Sequence, residues 1–255
     1  MTLAFRLVNF SIKGLTRIAC QVDDAQLDLI PQKGPLILTV NHINSIEVPL
    51  IFTHMQPRST TGFAKIETWD TIWSRWLFNF WGAIPIRRGV VDMQAFQRAQ
   101  QALTAGRIVV VAPEGTRSQT GKLQKGYPGI VLLAARSGAP IQPMVYYGGE
   151  SILHNLRRLK RTGFHIVVGN PFSLKLGVSL GKEVREQITT EIMYQMAALL
   201  PPAYRGIYSD FGQASQEYLV FGPGVKSNLD RVRFSSRGSA AKEGNPQFAS
   251  SSPGN

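Results

Sequence analysis

The chain of 255 residues carries 28 lysines and arginines against 16 aspartates and glutamates, a formal net charge of +12. Hydrophobic residues make up 44% of it and charged residues only 17%, which excludes intrinsic disorder for most of the chain. The single cysteine, Cys20, excludes an internal disulfide framework, and the charge calls for a polyanionic partner such as nucleic acid, an anionic lipid surface or a phosphorylated substrate.

The apolar segments of the chain are short. None reaches the roughly 18 consecutive residues that a transmembrane helix needs, so we expect no such helix. Arg6, Lys13 and Arg17 interrupt the first apolar pattern, so we expect no secretory signal peptide. The scarcity of acidic residues near the N-terminus leaves a transit peptide open.

Residues 1–18 predict a basic amphipathic helix. Its apolar residues cover one broad arc, and Arg6, Lys13 and Arg17 gather on the other side. One interpretation is a helix that packs its apolar side on the core and leaves its basic side in solvent. The wide arc and the uniformly positive charge favour the other interpretation, a helix lying in a membrane interface. We therefore assign 1–30 as an N-terminal membrane-associating segment.

A buried strand comes next. After a turn at 33–35, the β-branched apolar run 36–40 predicts a strand that is covered on both sides. A helix is then expected from about Ser45 to Met55, because Pro49 is tolerated in a first helical turn.

All four tryptophans fall between residues 69 and 81, in a segment with helical spacing. The residues that share one side of this helix are Trp69, Ile72, Trp73, Trp76 and Phe80. Tryptophans favour the headgroup level of a membrane, but the same stripe is equally typical of a core helix. The sequence leaves both interpretations open.

The remaining pattern alternates strands with helices. Strands are expected at about 82–88, 108–112, 141–147 and 164–168, and helices at 93–105, 129–137 and 182–200, the first of them capped by Asp92. The alternation predicts an α/β fold, a single domain over 31–221 with a largely parallel or mixed central sheet flanked by helices. Residues 222–255 are rich in Gly, Ser and Pro, which predicts a flexible basic tail that is either inert or touches an anionic surface.

His42 follows the strand at 36–40 directly, at the end where α/β folds present their sites. Glu47 lies five residues on, a spacing that cannot place both side chains on one side of a regular helix. If they pair, His42 must lie in the turn before the helix and Glu47 in its first turn. The carboxylate would then fix the imidazole tautomer and leave the other ring nitrogen as a general base. By spacing alone this is a weak indication of catalysis, because such pairs are common by chance.

A set of cations follows the later strands. Arg87 and Arg88 follow one strand, Arg117 follows another, and Lys125 lies next to Gly126. Guanidinium groups bind phosphate in bidentate geometry, and nearby glycines let the backbone approach a ligand. Each cation taken singly is better explained as a solvated loop charge.

Four blocks stand in order along the chain: Asn41-His42-x-x-Ser45-x-Glu47, Gly82-Ala83-Ile84-Pro85-Ile86-Arg87-Arg88, Pro113-Glu114-Gly115-Thr116-Arg117 and Ala139-Pro140-Ile141-Gln142-Pro143. They resemble the blocks of the glycerolipid acyltransferase superfamily, and most closely those of the 1-acylglycerol-3-phosphate acyltransferases, also named lysophosphatidic acid acyltransferases. The resemblance covers about 30–205, and the Glu-Gly-Thr-Arg block behind the His block makes it specific. Lys65-Ile66-Glu67 also resembles a Lys-x-Glu stretch that the family has before the second block.

The resemblance implies transfer of a fatty acyl group from acyl-CoA or acyl carrier protein to a lysophospholipid hydroxyl, above all that of 1-acylglycerol-3-phosphate, in phospholipid biosynthesis. It implies His42 as the catalytic base and Glu47, in a His-x4-Glu motif, as its partner. The substrate-binding residues, in this interpretation, are Asn41, Ser45, Lys65, Arg87, Arg88, Glu114, Gly115, Thr116, Arg117 and Lys125.

One departure from the family pattern concerns the acid, because the family usually has Asp where this chain has Glu47. The longer side chain indicates a shifted helix start, a subgroup with another acceptor, or a weakened activity. Arg87 is a smaller departure, since a neutral or acidic residue is commoner at that position.

Cofactors, partners and location follow from the implied function. We expect no metal or organic cofactor, since no cluster of His, Cys, Asp and Glu has ligand spacing. The expected partners are the lysophospholipid, the acyl-CoA or acyl carrier protein donor and an anionic membrane surface, with the protein peripheral to the cytoplasmic face of the membrane. Nucleic acid is not expected, because the tryptophans are not interleaved with the basic residues.

Three alternatives stay open on sequence: acylation of another lysolipid or a glycolipid, a thioesterase-like hydrolase that uses water, and a basic protein that binds nucleic acid or an anionic surface without catalysis.

Overall fold

A seven-stranded sheet forms the centre of the described chain, which comprises residues 3–44, 46–90 and 92–232 of the computed structural model. Its strands are β1 (Cys20–Asp23), β2 (Leu36–Val40), β3 (Thr60–Lys65), β4 (Ile84–Ile86), β5 (Ile108–Val111), β6 (Ile141–Tyr147) and β7 (Thr162–Val168). The helices are α1 (Leu3–Ala19), α2 (Glu47–His54), α3 (Ile72–Trp81), α4 (Met93–Thr104), α5 (Gly129–Ser137), α6 (Ile152–Arg157) and α7 (Lys182–Ala197). A separate small sheet joins β8 (Ser173–Leu174) to β9 (Leu219–Val220).

The strand order of the central sheet is β1-β7-β6-β2-β5-β3-β4. Every neighbouring pair is parallel except β6 and β7, which are antiparallel. The predicted α/β fold with a largely parallel, mixed sheet is therefore confirmed. Strands β2 to β6 all end at one edge of the sheet, which we name the carboxyl edge, and β1 and β7 begin there.

The core lies on both sides of β2, whose residues are all buried. Ile37 packs with the layer formed by α4 and α5, whereas Leu36 and Leu38 pack with Leu50 of α2 on the other side. Because helices cover both sides, the strand is a continuous apolar run and does not alternate with polar residues. Burying each of these side chains contributes about 1.5–3 kcal/mol, which fixes the position of the turn that follows β2.

The observed elements follow the predicted ones in most of the chain. Strands β2 and β6 and helix α5 have the predicted bounds. Helix α2 begins at Glu47, whereas the sequence predicts a start near Ser45. Strands β1 and β3 are not predicted by the pattern. Because β1 pairs with β7, residues 20–23 join the sheet, ahead of the domain start assigned at residue 31.

Residues 222–232 pack on the domain, although their composition assigns them to the flexible tail. Asn228 is buried, and both its backbone N–H and its Nδ2 donate to Oε1 of Gln195, at 3.0 and 3.1 Å. Leu229 is buried beside it. The rest of the predicted tail, 233–255, lies outside the described residues.

Helix α1 packs on the protein by a mixed side, on which Phe5 stacks on Phe80, and exposes much of its apolar arc. Asn9 and Thr16 are buried, whereas Leu7, Phe10 and Ile18 are exposed, Phe10 by 78%. The helix therefore packs on the protein by only part of its surface, and its position in a membrane interface stays a prediction. The outward apolar side is typical of a helix in a membrane interface. In the part of the chain that the structure describes, no helix is long and apolar enough to cross a bilayer.

Helix α3 lies beside α1 and is partly buried and partly exposed. Trp81 is buried, and its Nε1–H donates to Oδ1 of Asn9 at 3.0 Å. Trp73 and Trp76 are exposed. Burial in the protein is therefore confirmed for Trp81, and for the exposed tryptophans the interfacial interpretation stays a prediction. We name the exposed large apolar residues of the two helices the outer apolar surface: Leu3, Leu7, Phe10, Leu15, Ile18, Ile72, Trp73 and Trp76.

Candidate active site

The predicted contact between His42 and Glu47 is present. His42 lies in the turn between β2 and α2, Glu47 is the first residue of α2, and Nδ1 of His42 lies 2.7 Å from Oε2 of Glu47. The other carboxylate oxygen, Oε1, accepts the backbone N–H groups of Ile43 and Asn44, each at 2.7 Å. The carboxylate therefore holds both the ring and the backbone of the turn.

The burial of the pair differs between its members. Glu47 is almost completely buried, whereas the His42 side chain is 21% exposed. Burial raises the pKa of Glu47 above its usual value, and the hydrogen bonds from His42 and from the backbone of Asn44 and Ile43 oppose this shift. When the Glu47 carboxylate is ionised it only accepts hydrogen bonds, which places the His42 proton on Nδ1 and leaves the lone pair of Nε2 available to a substrate.

Asn44 supports the turn, although the sequence analysis does not select it. Its Oδ1 accepts the backbone N–H of Ile46 at 2.9 Å, and its Nδ2 donates to the carbonyl of Gly149 at 3.0 Å. The first contact is the local side-chain turn that Asn favours between a strand and a helix, which is a usable sequence signal. The second contact joins two loops far apart in sequence, and no local pattern predicts it.

Glu114 fixes the His42 turn from the neighbouring loop. It is buried; its Oε1 accepts the backbone N–H of His42 at 3.1 Å, and its Oε2 accepts that of Gln124 at 2.9 Å. The backbone N–H of Ser118 donates to the carbonyl of His42 at 2.7 Å. Burial raises the pKa of Glu114 to about 7, against the effect of these backbone donors. The sequence assigns Glu114 to the substrate, but both of its oxygens are engaged by the backbone, so the structure makes it a positioning residue.

Asn41 also has a role other than the predicted one, which is substrate binding. It is buried, its Oδ1 accepts the backbone N–H of Tyr146, and its Nδ2 donates to the carbonyl of the same residue, both at 2.9 Å. The side chain thus extends the pairing of β2 with β6 at the carboxyl edge. A substrate cannot reach an amide that is buried and doubly bonded in this way, so Asn41 positions the strand end that carries His42.

The other residues predicted to bind substrate are exposed and lie at or after the ends of β3, β4 and β5. They are Lys65, Arg87, Arg88, Gly115, Thr116, Arg117 and Lys125. Because β2 ends at the same carboxyl edge, the structure places these residues and His42 at one edge of the sheet. Ser45 lies outside the described residues.

Gly115 allows the change from a buried acid to exposed residues within one short loop. Its φ of +65° lies in the left-handed region, where a residue with a Cβ is strained. The turn directs Glu114 inward and leaves Thr116 and Arg117 exposed. A single loop therefore supports the catalytic turn and presents a cation to solvent.

Residues 21–147 match the family model described as Acyltransferase. The chain belongs to the acyltransferase family. The matched region contains the His42–Glu47 pair, the arginines after β4 and the loop of Glu114.

Two relatives of the chain are lipid enzymes by name. It is 25% identical over 144 residues to a lyso-ornithine lipid O-acyltransferase of Pseudomonas aeruginosa, a match covering 51% of this chain and 55% of that protein. It is 27% identical over 169 residues to a probable 1-acyl-sn-glycerol-3-phosphate acyltransferase of Mycoplasma pneumoniae, covering 62% and 59%. The chain thus spans little more than half the length of these curated relatives.

A solved structure shares the fold of the chain. The crystal structure of the 1-acyl-sn-glycerophosphate (LPA) acyltransferase PlsC from Thermotoga maritima matches with a TM-score of 0.56 and 22% sequence identity. The match covers 74% of this chain and 78% of that chain. The mixed sheet with its flanking helices is therefore a fold that an acyltransferase is known to adopt.

Proposed function

We propose that this chain transfers a fatty acyl group from acyl-CoA or acyl carrier protein to the hydroxyl of a lysophospholipid, with 1-acylglycerol-3-phosphate as the leading acceptor. The observation that carries the proposal is the His42–Glu47 pair at 2.7 Å, with a reachable ring and a buried acid, in a chain of the acyltransferase family. Relatives whose names specify lyso-ornithine lipid and 1-acyl-sn-glycerol-3-phosphate support a lysolipid acceptor.

In the proposed reaction His42 transfers one proton from the acceptor hydroxyl to the leaving thiolate. Nε2 of His42 takes the proton of the acceptor hydroxyl while the oxygen attacks the thioester carbonyl carbon. Glu47 stabilises the imidazolium that forms, as the acid of a catalytic triad does. When the C–S bond breaks, the imidazolium returns the proton to the leaving thiolate, so an ester and a thiol result. The balance requires no metal or organic cofactor.

Charge stabilisation and phosphate binding are assigned to the loops at the carboxyl edge. Backbone N–H groups near the turn of Glu114, Gly115 and Thr116 are the proposed donors to the oxyanion. The exposed cations after β4 and β5 are the proposed partners of the acceptor phosphate, since charge-assisted bidentate bonds are the strong ones.

Two variants in one loop are expected to separate positioning from acceptor binding. In Glu114→Gln, the amide nitrogen faces a backbone N–H of His42 or Gln124, and the unsatisfied buried donor costs about 1–3 kcal/mol of stability. We expect a lower kcat with little change in KM.

Arg117→Ala is expected to raise the KM for a phosphate-bearing acceptor about tenfold or more, the effect of one lost charge-assisted contact. Steady-state kinetics with a thermal melt check both, and a raised KM in Glu114→Gln would return that residue to the substrate site.

We further propose that the protein is peripheral to an anionic membrane, at the cytoplasmic face. The outer apolar surface places Leu7 and Phe10 of α1 and Trp73 of α3 in solvent unless a bilayer covers them. Arg6 is exposed on α1, and basic residues are attracted to the negative potential of the cytoplasmic leaflet.

Replacing Leu7 and Phe10 together with serine is expected to move the protein from vesicles to the soluble fraction. The two side chains are exposed, so the fold is expected to stay intact, whereas deletion of 1–18 would also remove the bond between Asn9 and Trp81. Flotation with anionic vesicles measures binding, and Leu176→Ser, at another exposed leucine, is the matched control. Unchanged flotation would assign membrane binding elsewhere.

The experiment that tests the proposed function is thiol release from acyl-CoA or acyl carrier protein with and without lysophospholipid. We expect release to require the acceptor and to equal the diacylated product formed. Release without acceptor would identify a thioesterase-like hydrolase in its place. A panel of lysolipid acceptors in the same assay assigns the headgroup.

A further inference from the structure

The turn that follows α6 holds a leucine in an unusual state. Leu159 is 95% exposed, and its φ is +53°. Among the described residues other than glycine, it is the one with a positive φ. A bulky side chain in the left-handed region is uncommon and carries a conformational cost.

The hydrogen bonds around Leu159 show which residue this position normally takes. The backbone N–H of Lys160 donates to the carbonyl of Asn155 at 2.9 Å, and that of Leu159 donates to the carbonyl of Leu156 at 3.1 Å. This pair of bonds is the Schellman ending of a helix, in which the left-handed position is usually glycine. At 95% exposure, the leucine side chain gains little packing in return. The strained backbone of Leu159 is therefore not offset by packing within the folded chain, which points to a contact of this side chain with another molecule.

Cations surround the exposed leucine. Arg157, Arg158 and Lys160 are exposed, and within the described residues none of the three forms an ion pair. Arg161 donates to the carbonyls of Arg17 and Cys20, at 2.7 and 2.9 Å. The turn therefore lies against the C-terminal end of α1, where Ile18 of the outer apolar surface is exposed.

The turn also lies at the carboxyl edge. Strand β7 begins at Thr162 and is antiparallel to β6, with His165 paired with Tyr147 near the end of β6. The 156–161 turn is thus on the same edge of the sheet as His42. A surface that this turn contacts would face the candidate active site.

We propose that residues 156–161 form a second membrane contact, which inserts Leu159 into the apolar boundary of an anionic bilayer while the neighbouring cations bind lipid phosphates. The proposal rests on the proposed function, since it presents the site to a lipid acceptor held in the bilayer. One exposed leucine surrounded by cations has the same arrangement of apolar and charged groups as a bilayer surface, where the apolar layer lies directly beneath the anionic headgroups. The position next to the end of α1 makes the contact continuous with the outer apolar surface.

The decisive variant is Leu159→Gly in the full chain. It replaces a strained residue with the one that the helix ending favours, so we expect a melting temperature no lower than that of the wild type. Loss of the inserted side chain is expected to weaken partition to vesicles of phosphatidylcholine with phosphatidylglycerol about tenfold. The matched control is Leu176→Gly, also at an exposed leucine, which follows the segment bridged by Phe172 to Ile141, at the opposite edge of the sheet. It is expected to keep full binding.

A second variant tests the cations and separates this proposal from the enzymatic one. Arg158→Glu with Lys160→Glu is expected to weaken vesicle binding and its dependence on salt, and to leave acyl transfer between water-soluble short-chain substrates unchanged. Wild-type binding by Leu159→Gly would overturn the membrane contact, as would equal losses in the Leu176→Gly control. Loss of activity toward soluble substrates in the charge variant would instead assign the turn to donor binding, for example of an acidic acyl carrier protein. Activity of the wild type toward those substrates tests the proposed function independently of vesicles.

Discussion

Replacing His42 with alanine is expected to lower the rate of acyl transfer at least about a hundredfold, because a positioned general base contributes about 10²–10⁴-fold. The ring is the one part of the His42–Glu47 pair that solvent reaches, and its Nε2 is directed away from the acid that holds Nδ1. Steady-state kinetics with acyl-CoA and 1-acylglycerol-3-phosphate measures the loss.

The fold is expected to survive this change, because the backbone of His42 keeps its bonds to Glu114 and Ser118. His154→Ala, at an exposed histidine of α6, is the matched control and is expected to retain most of the activity. Retention of more than about a hundredth of the wild-type rate in His42→Ala would refute the general-base assignment.

Replacing Glu47 with glutamine is expected to lower the rate about 10²–10³-fold. The comparable change of acid to amide in a catalytic triad costs about 10⁴-fold, because the amide favours the wrong imidazole tautomer. Here the amide oxygen would remain with the backbone N–H groups of Ile43 and Asn44, so its NH₂ group would face Nδ1 of His42. That arrangement places the histidine proton on Nε2, where the base must accept one. A smaller loss than in the triad is expected, since His42 is partly exposed and the charge effect is better screened.

Glu47→Asp restores the residue usual in the family but shortens the side chain by about 1.5 Å, one C–C bond. In this structure Glu47 reaches Nδ1 of His42 and two backbone N–H groups together, so a shorter acid must give up one of these contacts. We expect a loss of about 10²-fold, as for a misplacement of about 1 Å. A variant as active as the wild type would mean that the turn adapts to either acid, and full activity of Glu47→Gln would refute the pairing itself. Measurement of kcat/KM with a melting curve separates these effects from unfolding.

The elements that the sequence predicts well are those whose pattern has one physical explanation. The apolar run at 36–40 is short and partly β-branched, which favours a covered strand over a helix, and His42 and Glu47 can pair only across a turn. The orientation of α1 is different, because a helical wheel shows which residues share a side but not whether the protein or another phase covers it. The contact of Asn9 with Trp81, far away in sequence, decides that question.

The loop after β5 shows the same limit at the site. Glu114 and Arg117 are charged and three residues apart, and the resemblance assigns both to phosphate binding. Only the left-handed turn at Gly115 and the partners supplied by His42 and Gln124 make one of them buried and leave the other exposed. Such assignments depend on which backbone donors the fold brings near, and those come from distant parts of the chain.

The burial of Glu114 has a thermodynamic consequence for the whole chain. Its pKa is about 7 in the folded protein and 4.5 in its usual state, so over that interval the folded chain binds more protons than the unfolded one. The free energy of unfolding therefore falls as pH rises from about 4.5 to about 7, by about 3 kcal/mol from this group alone. Glu114 alone therefore favours the folded state in mild acid, where its carboxyl is protonated and less able to hold the His42 turn. The buried His54 acts in the opposite direction between about pH 4 and 6.5, because burial lowers its pKa from 6.5 to about 4. As pH rises through about 7, the stabilising contribution of Glu114 is lost, while its ionised carboxylate accepts the backbone N–H of His42 and so supports the turn that carries the general base.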